Sequence, residues 1–352
     1  MNNRLVRLLV AFVLTSMVPL AVQAASCPFN IPIVTIAPAQ VAGYSWGNVI
    51  RPMNDACVSS IAIEPANDAA WYVGGFNGLY MTKTNGLTWT KPIAGNVRVL
   101  LLVPGATQLV YVGVGTQLYL SRDHGSTWNV IHTFNAPVSS LLVAGSTLYV
   151  GLGQSNHIDP SGVYTSSLGG AFTTFHAFGA GQTGLIVWTL SRDPNNGTLY
   201  AGTEIYDHPQ PYHPPFFRST NNAVNWTNVA GTLPWHVVDS AVRPLDGYVY
   251  ALTEGAGTYG SNNAGNAWIA PATSLGLGVS LLMNPVTPTR LWAGRQNSGT
   301  LTGGIFLSTD AGSNYSFIGL KGATIGGIAL NGASTRIYVA AYSSGIYSSP
   351  VP

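Results

Sequence analysis

The chain has 352 residues, 46% of them hydrophobic and only 7% charged, with 41 glycines and two cysteines. Its 14 Lys and Arg stand against 12 Asp and Glu, and the excess vanishes once Arg4 and Arg7, which sit in an N-terminal leader, are set aside. With no basic cluster, the electrostatic footprint of a nucleic-acid binder is missing and that partner class is excluded.

Residues 1–24 read as a secretory signal peptide. Arg4 and Arg7 precede an apolar run from Leu8 to Leu20, and Val22, Gln23 and Ala24 supply a small-residue cleavage signature. The run is shorter than the ~20 residues of a membrane-spanning helix. The mature chain is therefore expected in the periplasm or outside the cell, with no membrane span. Cys27 and Cys57 are expected to pair in that oxidising compartment, for roughly 3 kcal/mol of stabilisation. A lipid anchor on Cys27 is not expected, because the preceding "AAS" lacks the usual Leu.

After an N-terminal extension, residues 25–43, a repeat runs through residues 44–352. Aromatic residues recur at Tyr80, Tyr119, Tyr164, Phe217, Tyr259, Phe306 and Tyr347, at separations of 39, 45, 53, 42, 47 and 41. Each follows a short apolar cluster ("WYVGG", "VYVGV", "LYVGL", "LYAGT", "VYALT", "LWAGR", "IYVAA"), itself preceded by a further apolar or alternating run such as "SSIAIEP" or "SSLLVAG". Behind six of the aromatics comes a turn: "TKTNGLTW", "SRDHGSTW", "SSLGGAF", "STNNAVNW", "SNNAGNAW" and "STDAGSNY". Four short strands in ~40 to 50 residues is the signature of one propeller blade. The expected fold is all-β: a seven-bladed β-propeller of four-stranded blades.

The turns read as structural. In the second copy Ser121, Asp123, Gly125 and Trp128 carry the pattern, and in the sixth Ser308, Asp310 and Gly312. An Asp accepts hydrogen bonds from backbone two or so residues on, Gly supplies a positive φ, and the closing aromatic covers the reversal. Asn replaces Asp in the fourth and fifth copies, which a turn tolerates and a general acid does not.

These turns resemble the Asp-box, or BNR, repeats of the propellers of sialidases, xyloglucanases, sortilin and photosystem II assembly-factor-like proteins. The resemblance covers about residues 45 to 350. It implies a propeller but no single activity, since that family spans enzymes and binders. A ring also needs closing, and "YSWGNVI", residues 44–50, is expected to supply the fourth strand of blade seven, with "IPIVTIAP", residues 31–38, as the alternative donor.

Binding residues are expected on the loops joining second to third strands, which are long in blades three, four and six. His157 and Asp159 in blade three, with Glu204, Tyr206, Asp207, His208, Tyr212 and His213 in blade four, form the candidate patch, and Phe178 is expected to stack on a ligand beside it. The partner expected is a glycan or an extracellular or periplasmic protein, taken by a monomer without cofactor or metal. The alternative is a glycoside hydrolase, for which Asp239 and Asp193 are weak catalytic candidates. The sialidase resemblance would call on Arg98, Arg192 and Arg243 of the inner strands to converge on a substrate carboxylate.

Overall fold

The computed structural model describes residues 43–48, 57–103, 105, 108–153, 161–172, 174–205, 216–298, 301–342 and 344–352. The leader of residues 1–24, Cys27 and residues 31–38 lie outside the described residues. Among the described residues every regular element is a β-strand, and no helix is long and apolar enough to cross a membrane.

The strands form seven antiparallel sheets, six of four strands and one of three. Blade one is typical: Val58–Glu64, Asn67–Gly75, Gly78–Thr82 and Thr90–Ala94, paired in chain order. The inner strands of blades two to seven are Val97–Leu102, Val138–Ala144, Leu185–Arg192, Val237–Val242, Gly278–Met283 and Thr324–Leu330. Each packs against the next and the seventh returns to the first, so the ring is closed. In blade five the outer position is reduced to a single bridge, Gly260–Ile269.

Every inner strand carries the same irregularity, a register shift near its start: Val58/Ser60, Val97/Val99, Val138/Ser140, Val187/Thr189, Val237/Asp239, Gly278/Ser280 and Ile325/Gly327. A bulge bends the strand and re-aims one side chain. Here it marks the same level of the channel seven times. Glycine or alanine faces six of these seven bulges, because neighbouring sheets converge there; blade five has Leu252 instead. A Cβ on Gly74 would lie 2.5 Å from Cγ1 of Val97 in the next blade.

The ring closes through the chain's N-terminal part. Gly47–Asn48 pairs with the third strand of blade seven, Gly345–Pro350, matching Gly47 to Ser348 and Asn48 to Tyr347. Residues 44–50, rather than 31–38, therefore contain the donor. Trp46 donates its indole N–H to the Ile318 carbonyl at 2.7 Å and stacks on Tyr44. The Tyr44 hydroxyl in turn accepts from the indole of Trp292, at 2.9 Å.

The repeated turn has the geometry its composition predicts. The Asp123 carboxylate accepts from the Ser121 hydroxyl, the Thr127 amide and the Thr127 hydroxyl, and Ser121 Oγ also accepts from the Gly125 amide. The Thr127 hydroxyl, with the Thr127 amide and Ser121, holds the Asp123 carboxyl down at about 2. Asp310 makes the same bonds with Ser308 and the Asn314 amide, and Ser308 accepts from Gly312. Asn221 and Asn263 keep the acceptor role, each taking a Ser hydroxyl and the amide four residues on. The residue before the glycine is also left-handed, with φ 55° at His124 and 77° at Gly125. Trp128 closes the turn by donating to the Gly125 carbonyl.

Candidate functional site at the channel mouth

At one end of the ring, second strands turn into third strands. One residue past the partner of the residue that opens each bulge, the rim residues are Phe76, Gly115, Gly153, Glu204, Glu254, Gln296 and Tyr342, read from blade one to blade seven. Blades four and five thus place a carboxylate at the same level on adjacent sheets. His236, just before the inner strand of blade five, reaches both: its Nε2 lies 3.0 Å from Glu254 Oε2 and 3.8 Å from Glu204 Oε2. Trp188, the bulge residue of blade four, donates to the same Glu204 oxygen at 2.6 Å.

The cluster is largely enclosed, with side-chain exposures of 10% for His236, 16% for Glu204 and 14% for Glu254. Burial pushes the Glu204 carboxyl up, opposed by the charge of His236 and the Trp188 N–H. For His236 burial disfavours protonation, but the hydrogen bond it donates to Glu254 and the charges of both glutamates override it, so its pKa is raised. Trp235, 36% exposed, lies against Gly255, where an added Cβ would sit 2.6 Å from the indole. A partly exposed indole therefore packs against the residue that follows Glu254. Across the ring Phe76 and Tyr342 meet edge to face at 5.9 Å.

The expected binding residues His157, Asp159, Tyr206, Asp207, His208, Tyr212 and His213 lie outside the described residues. Their loops leave from Gly153 and from Glu204–Ile205, on this same rim. Phe178 does not face a ligand. It is 4% exposed, stacked on Phe217 at 4.2 Å and edged by Trp226, because its apolar ring fills the gap between blades three and four. Cys57 is buried at the start of blade one. Among the described residues no group of His, Cys, Asp and Glu is spaced to hold a metal ion.

Asp239 and Asp193 are far from being a pair. Asp193 is buried in the turn after the inner strand of blade four, at the opposite end of the sheet, where its Oδ1 accepts from the Asn195 amide. Asp239 ties three blades together, accepting from the Leu281 amide at 2.7 Å, the Ser240 amide at 2.8 Å and the Thr189 hydroxyl at 3.3 Å. Burial still dominates and pushes its carboxyl up to about 6. The three arginines do not converge either. Arg192 ends its strand and Arg243 pairs with Asp246, both at the far end, whereas Arg98 stands at the mouth.

A raised folded-state pKa contributes stability that is complete below the unfolded value, near 3.9, and is lost as pH rises through the folded value. Asp239 should therefore cost the fold about 2 kcal/mol between pH 4 and 6.5. Denaturant unfolding of Asp239→Asn across that range should show a flatter profile than the parent chain. An unchanged slope would contradict the assignment.

Sequence reasoning reached Glu204 but missed His236, Glu254, Trp188 and Trp235. A signal for Glu254 was present: "AGTEI" and "ALTEG" put Thr-Glu at equivalent positions of blades four and five only.

A closed ring of seven antiparallel sheets, with a polar and aromatic mouth at one end, defines a seven-bladed β-propeller module. No protein-family model and no curated protein matches the chain. Solved structures do. A structure described as YCF48 bound to D1 peptide superposes with a TM-score of 0.60 at 15% identity, covering 90% of this chain and 100% of that one. A GH74 xyloglucanase from Xanthomonas campestris gives 0.64 at 16% identity over 87% of this chain, which spans 53% of the enzyme. The extracellular domain of a putative hybrid two component system from B. thetaiotaomicron gives 0.64 at 14%, over 86% of this chain and 39% of that one. At these identities the shared property is the fold.

Proposed function

We propose that this chain is an exported propeller of the Asp-box type that binds a glycan at the channel mouth of blades four and five, flanked by the loops of blades three, four and six. One observation carries the reading: Glu204 and Glu254 are held on His236 beside the exposed ring of Trp235. Carboxylates accept from sugar hydroxyls, and an indole face stacks on a pyranose ring. The Cys27–Cys57 disulfide belongs to the same proposal, since an exported chain meets an oxidising compartment.

Glycoside hydrolysis is the second reading, favoured by two carboxyls on one rim with Glu204 raised. Such pairs flank the scissile bond at ~5 to 9.5 Å. Here the imidazole of His236 fills the space between them, which favours binding over cleavage. A panel of plant and bacterial polysaccharides separates the two by affinity electrophoresis and reducing-end release. The expected result is saturable retardation without release, weakened about tenfold or more in Trp235→Ala, in line with loss of an aromatic anchor. Release abolished by Glu204→Gln would make the protein a hydrolase, and no retardation by any glycan would sink the binding reading.

A further inference from the structure

We infer that the protein has a second ligand site, at the end of the ring opposite the channel mouth, that takes a neutral saccharide of one or two rings; it does not depend on the glycan reading above. Where blade seven meets blade one, a groove of about 500 Å³ opens between them, within the size range of small-ligand sites. One wall is the turn from Asn331 to Arg336, which leads into the second strand of blade seven, Arg336–Tyr342. The other is Asn67 to Ala69 of blade one, with Asn85 of its repeated turn. Tyr338 completes the lining.

Bonds across the junction hold both walls in place. The Asn331 carboxamide donates to Asp68 Oδ2 at 2.8 Å and the Gly332 amide to Oδ1 at 3.3 Å. Asn331 also accepts from the amides of Thr335 and Arg336, each at 2.9 Å, and the Asn85 amide donates to the Ala69 carbonyl at 3.0 Å. Tyr338 is 3% exposed, its ring tilted against Trp71 at 5.0 Å, yet no hydrogen bond engages its hydroxyl among the described residues. Enclosing a hydroxyl without a partner is costly. Two other blades meet that cost internally: at the same register the Tyr111 hydroxyl accepts from the Gly169 amide at 2.7 Å, and that of Tyr250 from Arg243 at 3.1 Å. Tyr72, Tyr149 and Tyr200 show no such bond among the described residues either, so a missing bond is not by itself a site. At Tyr338 it coincides with a polar groove.

The lining selects the ligand class. Asp68 and Arg336 set opposite charges near Tyr338, so the groove favours neither an anion nor a cation. Ala69 is the one aliphatic residue lining it among the described residues, which leaves an apolar ligand little to bury against. The carboxamides of Asn67 and Asn85 and the Tyr338 hydroxyl each carry both donor and acceptor capacity. Arg336 engages the Ser348 hydroxyl through Nη1 at 3.1 Å and adds further N–H donors. Neighbouring hydroxyls of a sugar, which themselves donate and accept, match this set.

The test is calorimetric titration of the intact chain with cellobiose, maltose and diacetylchitobiose. At least one should bind. Tyr338→Phe, which keeps the ring, should weaken that binding about two- to tenfold, the worth of one hydrogen bond, while unfolding at or above the parent temperature. Asn85→Ala should weaken it as well, and Trp235→Ala should leave it unchanged. Binding of none of the three, or binding that either groove variant leaves unchanged, overturns the site. A Tyr338→Phe chain that unfolds below the parent temperature also overturns it, because the hydroxyl would then serve the fold. Disaccharide binding lost in Trp235→Ala and kept in Tyr338→Phe belongs to the mouth, so this site falls while the reading of blades four and five stands. Weakening by Tyr338→Phe but not by Trp235→Ala, with disaccharide and polysaccharide alike, keeps this site and sinks the mouth.

Discussion

Replacing Trp46 with Ala should cost about 3 to 5 kcal/mol, the range for emptying a buried tryptophan site. The closing strand contributes only two residue pairs, Gly47 with Ser348 and Asn48 with Tyr347, so backbone pairing alone is a weak latch. The side chains hold it. Trp46 is 5% exposed, bonds the Ile318 carbonyl of blade six and stacks on Tyr44, which is fully buried and receives the Trp292 indole. The N-terminal part of the chain thus joins blade six to blade seven while completing the latter. Trp46→Phe keeps most of the apolar fill and should lose about 1 to 3 kcal/mol, the cost of an unmet buried carbonyl. Urea unfolding compares the two. If Trp46→Ala falls within about 0.5 kcal/mol of the parent, the latch lies elsewhere.

His236→Leu should destabilise the protein by about 3 to 5 kcal/mol near neutral pH, the cost of stripping one partner from an enclosed ion pair. The substitution leaves Glu204 and Glu254 on one rim without the group between them. The pH dependence identifies the cause. His236 has a raised pKa in the fold, so its contribution is complete below its unfolded value of about 6.5 and fades as pH rises through the folded value. The penalty in the variant exists only while the glutamates are ionised, so it shrinks as pH falls through their folded-state values, which for Glu204 is raised, and is gone near the unfolded value of about 4.3. The gap between parent and variant should accordingly be widest from about pH 5 to 7, narrowing on either side. A gap independent of pH from 4 to 9 would mean that the loss is one of packing.

The parts of the molecule legible in the sequence are those built from neighbours along the chain. The Ser121-to-Trp128 turn is made by bonds between residues two to four apart and by the left-handed pair His124 and Gly125, so composition alone reveals it. The aromatic spacing located the seven third strands for the same reason: Tyr80 through Tyr347 each lie within one. The shortage of a fourth strand in blade seven, with Trp46 in the segment before blade one, pointed to the donor at residues 44–50. What those patterns do not carry is which side chains from different sheets converge.

Phe178 shows the limit, since an aromatic in a loop reads as a ligand platform until a neighbouring blade is found packed over it. Asp239 is similar: alone it is a carboxylate on an inner strand, and only the amide of Leu281 on the next sheet reveals a brace between blades. The local rules of turn and strand therefore determined the ring and the blade count. Tertiary structure decided that Glu204, His236 and Glu254 share a site, because that relation depends on where separate sheets meet around an axis, a distance that sequence spacing does not encode.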